Sequence, residues 1–380
     1  MKILQIAPEI APGSGVGGVA HQLERAFERA GVPTGRFTLS EARGGWLPAP
    51  GSGVRGKLAL LSRVVWFSTV GSVLARRAVA RQRDVVTICH NDVLVGDVYV
   101  NHGILRVAMQ ARGSYALRML RNPLHLFTAA RDAVRYRGRF HRVIVNLTRA
   151  EQAALHRTYP HVRARTVVIG NGVDVDRFCR PSAEERARGR EAQGLPDDAL
   201  DVLFIGHEYD RKGLPLVLEA VTDLPGVHVS VVGGTPDMLD DLRARVRRLG
   251  LEGRVHLAGQ VDDPLPWLHA ADVLALPSAY EANALVVLEA LACGLPVVAT
   301  RVGYAPEVID DGVHGFLVDR TTEDVRRGLD AVARWTPAER AARSTDARTR
   351  AEAHDWDKVA AQYVELARSL STPAVPGAHT

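Results

Sequence analysis

The pattern of apolar and polar positions divides the first half of the chain into short strands and an amphipathic helix. The apolar run MKILQIA (1–7) precedes the Gly-rich PGSGVGGV and then AHQLERAFERAG, where apolar residues recur at helical spacing up to Gly31. The runs DVVTICH (84–90) and RVIVNLT (142–148) are typical of buried strands, and RTVVIGNGVDVDRF (165–178) of a strand entering a turn. A strand, a Gly-rich loop and a helix in this order predict the opening of a nucleotide-binding α/β unit.

The same alternation begins again near residue 200. Helical segments, GLPLVLEAV and DMLDDLRARVRRLG among them, alternate with apolar runs at 201–207, 227–234, 254–259, 272–277 and 296–300. Strands that alternate with helices predict parallel sheets, here an α/β fold of two Rossmann-like modules divided near residues 170–185. Because such sheets bind ligands beyond the carboxyl ends of their strands, we expect the site in the cleft between the modules.

Two carboxylates, Glu281 and Glu289, interrupt the apolar stretch YEANALVVLEALACGLPVVAT. The pattern predicts a loop after the strand that ends at Pro277, followed by a helix from about Ala284 to Ala292. Asn283 is the expected N-cap of this helix.

The start of that helix, at Asn283, Ala284 and Leu285, would offer backbone N–H groups to a phosphate. Glu289 would lie roughly 7–8 Å further along the helix, at the distance of a ribose diol, and Glu281 would face a sugar. The alternative is that both carboxylates are solvated surface charges, which an isolated pair would favour. The strand–loop–helix context favours a nucleotide-sugar site.

A family resemblance covers nearly the whole chain. YEANALVVLEALACGLPVVAT resembles the donor-site block of the retaining GT-B glycosyltransferases with an E-x7-E motif, the GT4-like family. VVIGNGVDVDRF resembles their interdomain segment, GHEYDRKGL their phosphate-binding loop, and HDWDKVAAQYVEL (354–366) the terminal helix that crosses back to the first domain. Within the branch, the chain most resembles the lipopolysaccharide-core glucosyltransferases.

The resemblance implies a GT-B fold, in which two Rossmann-like domains face each other across a cleft. Residues 1–175 would form the N-terminal acceptor domain, joined by a C-terminal helix at about 354–370. Residues 176–353 would form the nucleotide-sugar donor domain, and 371–380 a disordered tail.

The resemblance also implies roles for residues of the two Gly-containing loops. Arg211 and Lys212 would hold the donor diphosphate and stabilise its charge as it leaves. Gly17 and Gly18 would let the backbone approach the diphosphate. The alternatives are an exposed basic pair on a helix and a tight turn. The chain departs from the family pattern at two places. It has His207 where many relatives have arginine, and it has EANAL (281–285) where relatives often carry a glycine.

A histidine at the end of an apolar strand is a further candidate. GDVYVNHG fits the family block in which a histidine contacts the donor sugar, so we favour His102 over His90, although a lone histidine is as often structural. The glucosyltransferases named above carry an acidic residue there. No metal cluster and no cofactor are expected, because such enzymes use cations and helix termini in place of a divalent ion.

The charge is distributed unevenly along the chain. Residues 1–170 contain 25 basic and 9 acidic residues, a net charge of +16, whereas the whole chain carries +5. The segments 55–83 and 114–142 mix basic with apolar residues, which suits an anionic membrane surface or ordinary solvated helices. Arg63 and several small polar residues argue against a spanning helix over Leu58–Ala75. No nucleic-acid motif is present.

Three cysteines without metal spacing and the absence of a secretory signal predict a cytoplasmic protein, peripheral at the inner membrane face if the basic half docks there. The sequence therefore predicts a metal-independent retaining glycosyltransferase that uses a nucleoside-diphosphate sugar, with a UDP-sugar favoured. Its hydroxyl acceptor would be an envelope glycolipid or a small molecule. The alternatives are a GT-B nucleotide-sugar epimerase, an NAD-dependent enzyme, and a binding module for membranes or nucleotide-sugars.

Overall fold

The computed structural model describes residues 1–13, 15–51, 53–196 and 198–371, which form two compact units. The first unit comprises Met1–Asn171 with Trp356–Thr380, and the second comprises Gly172–Asp355. The boundary expected after residue 175 therefore lies slightly earlier in the chain. Of the predicted tail, Ser371 ends a helix and 372–380 lie outside the described residues.

A six-stranded parallel sheet forms the centre of the first unit. Its strands are β1 (Lys2–Ile6), β2 (Thr34–Phe37), β3 (Val85–His90), β4 (Val98–Asn101), β5 (Val143–Asn146) and β6 (Arg165–Val168), in the order β2-β1-β3-β4-β5-β6. Its first seven helices are α1 (Val16–Arg29), α2 (Gly53–Trp66), α3 (Ser72–Ala80), α4 (Leu105–Ala111), α5 (Tyr115–Arg121), α6 (Pro123–Arg137) and α7 (Arg149–Thr158), with a π-helical turn, Phe67–Gly71, between α2 and α3.

The second unit contains another six-stranded parallel sheet. Its strands are β7 (Leu200–Ile205), β8 (Val227–Val232), β9 (Val255–Gly259), β10 (Val273–Leu276), β11 (Val297–Thr300) and β12 (Gly315–Val318), in the order β12-β11-β10-β7-β8-β9. Its helices are α8 (Ala183–Gln193), α9 (Tyr209–Lys212), α10 (Leu214–Thr222), α11 (Pro236–Arg248), α12 (Leu265–Ala270), α13 (Leu285–Ala292), α14 (Ala305–Val308), α15 (Thr322–Ala333) and α16 (Pro337–Glu352). The predicted α/β class is confirmed in both units.

The last helix, α17 (Trp356–Ser371), belongs to the first unit. It packs on α1 through an apolar face that includes Val359, Ala360 and Tyr363. Arg142 donates a hydrogen bond to the carbonyl of Leu370 at 2.8 Å. The chain therefore builds most of the first unit, then all of the second, and returns to complete the first.

The longest helical run, Gly53–Ala80, combines α2, the π-helical turn and α3. At 28 residues it is apolar and long enough to cross a membrane, and 28% of its most apolar part is buried. Core helices of soluble proteins can have the same length and composition, so these two properties are weak evidence for a membrane span. Its packed face is anchored by Trp66, whose indole N–H donates to the Ala42 carbonyl at 2.9 Å. Arg63 donates to the Leu47 carbonyl at 3.3 Å. The prediction that this run does not span a membrane stays a prediction.

A buried polar network ties α6 to the ends of β3 and β4. Arg135 is fully buried, pairs with Asp132 at 2.9 Å and lies 4.1 Å from the centre of the Tyr99 ring. The next residue, Tyr136, donates to the side-chain oxygen of Asn101 at 3.3 Å. Because a buried charge must be paired and hydrogen-bonded, this network fixes the strand end from which the chain continues to His102.

A glycine joins the two helices that follow β7. Gly213 has a φ of +84° and separates α9 from α10. A Cβ atom there would lie 2.2 Å from the Pro277 carbonyl oxygen, at the end of β10. Glycine at this position therefore allows the loops that follow β7 and β10 to pack closely together.

We predict that Gly213→Ala destabilises the second unit strongly. Gly250→Ala is the matched control, because Gly250 has a φ of +66° but a Cβ atom there would meet no heavy atom of the described residues within 4 Å. Gly250→Ala should lower the free energy of unfolding by about 1 kcal/mol, because a side chain is unfavourable in the left-handed backbone conformation. Thermal denaturation should show a clearly lower midpoint for Gly213→Ala than for Gly250→Ala; equal midpoints would contradict the close packing.

Candidate functional site

The predicted donor residues of the second unit gather at the carboxyl ends of two neighbouring strands. β7 leads into α9, which carries Arg211 and Lys212, and β10 leads into the loop that carries Glu281. Carboxyl ends of adjacent parallel strands meet at one edge of the sheet, which is where ligands of such sheets bind. Sequence positions about seventy residues apart are thus brought together.

The carboxylate of Glu281 is the centre of this cluster. Its Oε1 accepts a hydrogen bond from Ser278 Oγ at 2.9 Å and from Arg211 Nη1 at 3.1 Å, and it lies 3.6 Å from Lys212 Nζ. The side chain is only 11% exposed. Glu281 is therefore held firmly, and the solvated-charge alternative does not describe it.

Arg211 connects the two loops. Besides Glu281 it bonds the carboxylate of Glu208 at 2.7 Å and the backbone carbonyl of Tyr280. Burial alone would lower the pKa of Arg211, but the neighbouring Glu281 and Glu208 outweigh burial and raise the pKa. Arg211 is thus a fixed cation that also holds the loop after β10.

The helix that follows this loop begins one residue later than predicted. α13 begins at Leu285, and Ala284 occupies the N-cap position with φ −83° and ψ 95°. The prediction of Asn283 as N-cap is wrong, because its side chain makes no capping bond and lies one residue too early. Both polar atoms of the Asn283 amide are buried and lack a hydrogen-bond partner among the described residues. A buried, unpaired amide is costly, which makes Asn283 a candidate ligand contact.

Glu289 lies on α13 and is largely shielded from solvent. Burial raises the pKa of Glu289 to about 7, against the opposing effect of Arg177 and Lys212. The influence of Lys212 indicates that Glu289 faces the same region as the cations. Glu289 is half-buried on α13, so it is not a fully exposed helix residue.

The glycines of the first unit lie inside a helix and not in the loop before it. α1 begins at Val16, so Gly17 and Gly18 form its first turn. A Cβ atom on Gly18 would lie 1.9 Å from the Gly13 carbonyl oxygen, so the preceding loop folds tightly over the helix start. Both glycines line a cavity of about 260 Å³ with Asn91. The predicted contact of Gly17 and Gly18 with a diphosphate stays a prediction.

His102 follows β4 and contacts a second histidine. Its Nε2 lies 3.0 Å from Nδ1 of His90, the last residue of β3. Burial lowers the pKa of His102 to about 4 and, with His102 nearby, lowers the pKa of His90 well below its usual value. Both rings are therefore neutral at pH 7.

Sequence reasoning misses the partners that surround these sites. Ser278 bonds Glu281, but nothing in LPSAYEAN signals that contact. Gln5 bonds His90 at 2.9 Å, although it resembles an ordinary polar position in an apolar strand. The sequence treats His90 and His102 as alternatives, whereas the structure joins the two.

No group of three or more His, Cys, Asp or Glu side chains could hold a metal ion within the described ranges. His207, which replaces a frequent arginine, accepts a hydrogen bond from the Gly234 backbone N–H at 3.1 Å through Nδ1. This bond assigns His207 to holding the loop after β8.

Comparison with known proteins finds a matching family model and several similar proteins. Residues 199–334 match the model of the family described as glycosyl transferases group 1. A D-inositol 3-phosphate glycosyltransferase of Xylanimonas cellulosilytica is 35% identical over 236 residues, 59% of this chain and 56% of that protein. The protein of the same name from Mycolicibacterium smegmatis is 37% identical over 224 residues, 57% of this chain and 50% of that protein. The chain thus spans about half the length of these relatives.

Solved structures share the fold over almost the entire chain. Sucrose-phosphate synthase from Thermosynechococcus elongatus aligns with a TM-score of 0.75 and 20% identity, covering 97% of this chain and 98% of that one. WaaG, a glycosyltransferase involved in lipopolysaccharide biosynthesis, aligns with a TM-score of 0.74 and 20% identity, covering 96% and 99%. Anabaena HepE, in complex with UDP and glucose, aligns with a TM-score of 0.68 and 23% identity, covering 97% and 100%.

These likenesses define the class of protein as one with the GT-B fold, as the sequence predicts. Within the second unit, residues 199–334 resemble the group 1 glycosyl transferases. The cluster of Arg211, Lys212 and Glu281 lies inside the matched region.

The raised pKa of Glu289 predicts a pH-dependent stability. Between its usual value of 4.5 and about 7, folded Glu289 keeps a proton that the unfolded chain releases, so stability falls as the pH rises through this window. Glu289→Gln should therefore stabilise the protein at pH 8, by on the order of 1–3 kcal/mol, and change little at pH 4. Denaturation at both pH values tests this, with the exposed Glu252→Gln as control; a gain independent of pH would refute the assignment.

Proposed function

We propose that the protein is a retaining glycosyltransferase that moves a sugar from a nucleoside-diphosphate sugar, most favourably a UDP-sugar, to a hydroxyl acceptor. The observation that carries the proposal is the cluster of Arg211, Lys212 and Glu281 at the ends of β7 and β10. It lies in the region that resembles the group 1 glycosyl transferases, and the structurally similar HepE was solved with UDP and glucose.

Lys212 and Arg211 would act on the leaving diphosphate. Negative charge grows on the diphosphate as the bond to the sugar breaks, and fixed cations stabilise that charge without reorganising. Arg211 is already tied to Glu208 and Glu281, whereas Lys212 is more weakly held, at 3.6 Å from Glu281. We therefore assign the larger share of phosphate stabilisation to Lys212 and the larger share of loop positioning to Arg211.

Glu281, Asn283 and Glu289 would recognise the two ends of the donor. Glu281 accepts hydrogen bonds and would orient sugar hydroxyls, and the unpaired Asn283 amide would gain partners when the donor binds. Glu289 would accept the ribose hydroxyls, with the first-turn N–H groups at Ala284 and Leu285 directed at the phosphate. None of these contacts needs a metal ion.

The anomeric configuration of the sugar would be retained, because the acceptor would attack the face of the sugar from which the diphosphate leaves. Glu281 is paired with two cations and a serine, which makes it a poor covalent nucleophile. The leaving phosphate oxygen would then take the proton of the acceptor hydroxyl. This step rests on the family resemblance.

The acceptor would bind in the first unit. A cavity of about 610 Å³ lies beyond the carboxyl ends of β1 and β2, and its polar side chains include Arg36, Thr38, Glu41, Arg63 and Asp92. Its size and polarity fit a small hydroxylated molecule or a lipid headgroup. The relatives by sequence are named for D-inositol 3-phosphate, which supports a small polyol phosphate, whereas the likeness to WaaG, a lipopolysaccharide enzyme, is one of fold.

Release of UDP from UDP-sugars in the presence of candidate acceptors tests the proposal, with EDTA expected to leave the rate unchanged. Lys212→Ala should lower kcat by about 10²–10³, the usual cost of removing one such group. Arg211→Ala should lower kcat less than Lys212→Ala does and should also raise KM, because the loop after β10 loses the hydrogen bond from Arg211 to the Tyr280 carbonyl.

Arg248→Ala, on the exposed end of α11, is the control and should retain the wild-type rate. Wild-type rates in both Lys212→Ala and Arg211→Ala would refute the assignment. Binding of UDP-sugars without any turnover would favour the binding module, and a change of sugar configuration without transfer would favour the epimerase.

We also propose that the first unit docks at the inner, anionic membrane face as a peripheral protein. The large apolar side chains that are strongly exposed in the described part of the chain all lie between residues 46 and 134: Trp46, Val54, Leu58, Leu60, Val73, Leu117, Leu120, Leu126 and Val134. Arg76, Arg77, Arg118 and Arg121 are exposed on the same helices, within a segment of net charge +16. Apolar side chains with cationic neighbours suit an interface with anionic lipid.

Flotation with phosphatidylglycerol vesicles should recover the protein at low salt and less of it as salt rises, because surface charges are screened. Arg121→Glu should weaken recovery, since each basic residue near such a surface contributes about 1 kcal/mol. Arg334→Glu is the control, because it makes the same charge change at a side chain of the second unit that is 78% exposed. This variant should be recovered with the vesicles as well as the wild type. Equal recovery of both variants, or binding to neutral vesicles alone, would contradict docking.

A further inference from the structure

A continuous chain of hydrogen bonds leads from α1 to His102. The side-chain nitrogen of Gln5 donates to the Ala20 carbonyl at 2.8 Å, and its oxygen lies 2.9 Å from Nε2 of His90. Nδ1 of His90 lies 3.0 Å from Nε2 of His102. Gln5, Ala20 and His90 are completely buried, so water does not compete for these bonds.

The direction of every bond follows from the first one. A backbone carbonyl can only accept, so the Gln5 amide must turn its nitrogen to Ala20 and its oxygen to His90. That oxygen can also only accept, so Nε2 of His90 must carry a proton. In a neutral imidazole the other nitrogen then has a lone pair, which leaves Nδ1 of His90 as an acceptor.

The last bond fixes the state of His102. Because Nδ1 of His90 accepts, Nε2 of His102 must donate and therefore carries the ring proton. Burial keeps both rings neutral, with the pKa of His102 lowered to about 4. The lone pair of His102 is consequently on Nδ1.

We propose that Gln5 and His90 are positioning residues that hold His102 as the Nε2–H tautomer, so that its Nδ1 offers a hydrogen-bond acceptor to a substrate hydroxyl. The role toward substrate rests on the proposed glycosyltransferase function, whereas the tautomer does not. A lone pair at Nδ1 can bind only groups that donate a hydrogen bond. A sugar or polyol hydroxyl can meet it, but a phosphate oxygen without a proton cannot. His102 would thus discriminate hydroxyl groups from anionic oxygens.

The tautomer can be observed directly in the full-length protein. Long-range ¹H–¹⁵N spectra of the ¹⁵N-histidine-labelled chain at pH 7.5 distinguish protonated from unprotonated ring nitrogens, and His102 is assigned by the signals lost in His102→Gln. We expect a protonated Nε2 and an unprotonated Nδ1 at His102. A protonated Nδ1, or a rapid mixture of both tautomers, in the wild type would overturn the proposal.

A variant tests whether the chain of bonds is the cause. Gln5→Leu removes the acceptor for His90, so His102 should lose its single tautomer and show averaged ring signals. Ile88→Val, on the same strand as His90 and equally buried, changes the packing without entering the chain of bonds and should keep the wild-type spectrum. An unchanged His102 spectrum in folded Gln5→Leu would show that His90 and Gln5 do not set the tautomer.

An activity measurement separates this proposal from the proposed function. Gln5→Leu should lower kcat/KM for UDP release by about threefold to tenfold, the usual effect of one hydrogen bond, and Ile88→Val should not. If the wild type has the expected tautomer but no transferase activity, the positioning stands and the function fails. If transfer occurs but Gln5→Leu matches Ile88→Val in rate, the function stands and the positioning role fails.

Discussion

The ion pairs of Glu281 are the interaction on which the candidate site of the second unit depends. A carboxylate alone at the end of β10 would repel a diphosphate, and two cations alone at the end of β7 would repel each other. Together, Glu281, Arg211 and Lys212 hold two loops in place through mutual attraction, with Ser278 as an additional donor. A bound diphosphate would share these cations with Glu281, so binding adds anionic charge where cationic charge is already fixed.

Much of the fold could be predicted from the sequence because the strands are apolar and the helices strongly periodic. β7, β8, β10 and β11 are buried runs rich in valine and leucine, and buried parallel strands have this composition. β2 and β12 escape the sequence pattern because each has four residues, contains glycine and lies at the edge of its sheet. The first helix is expected at Ala20 but begins at Val16, because two glycines suggest a loop where they serve close packing.

The candidate site is predictable where a local motif defines it and not where distant strands meet. Glu281, Glu289, Arg211 and Lys212 can be selected because loop and helix signals surround them in the sequence. The pairing of Gln5 with His90 depends on which strands become neighbours in the sheet, and periodicity does not specify strand order. Asn283 is selected from the sequence as an N-cap, whereas in the structure it caps no helix and its amide has no hydrogen-bond partner among the described residues.

The return of α17 to the first unit has a consequence for synthesis on the ribosome. Residues 172–355 form an uninterrupted unit that can fold as soon as it has emerged. The first 171 residues emerge earlier, but the part of α1 that packs against α17 stays uncovered until the final helix arrives. The domain made first is thus completed last, and during that interval it is the part of the nascent chain most in need of a chaperone.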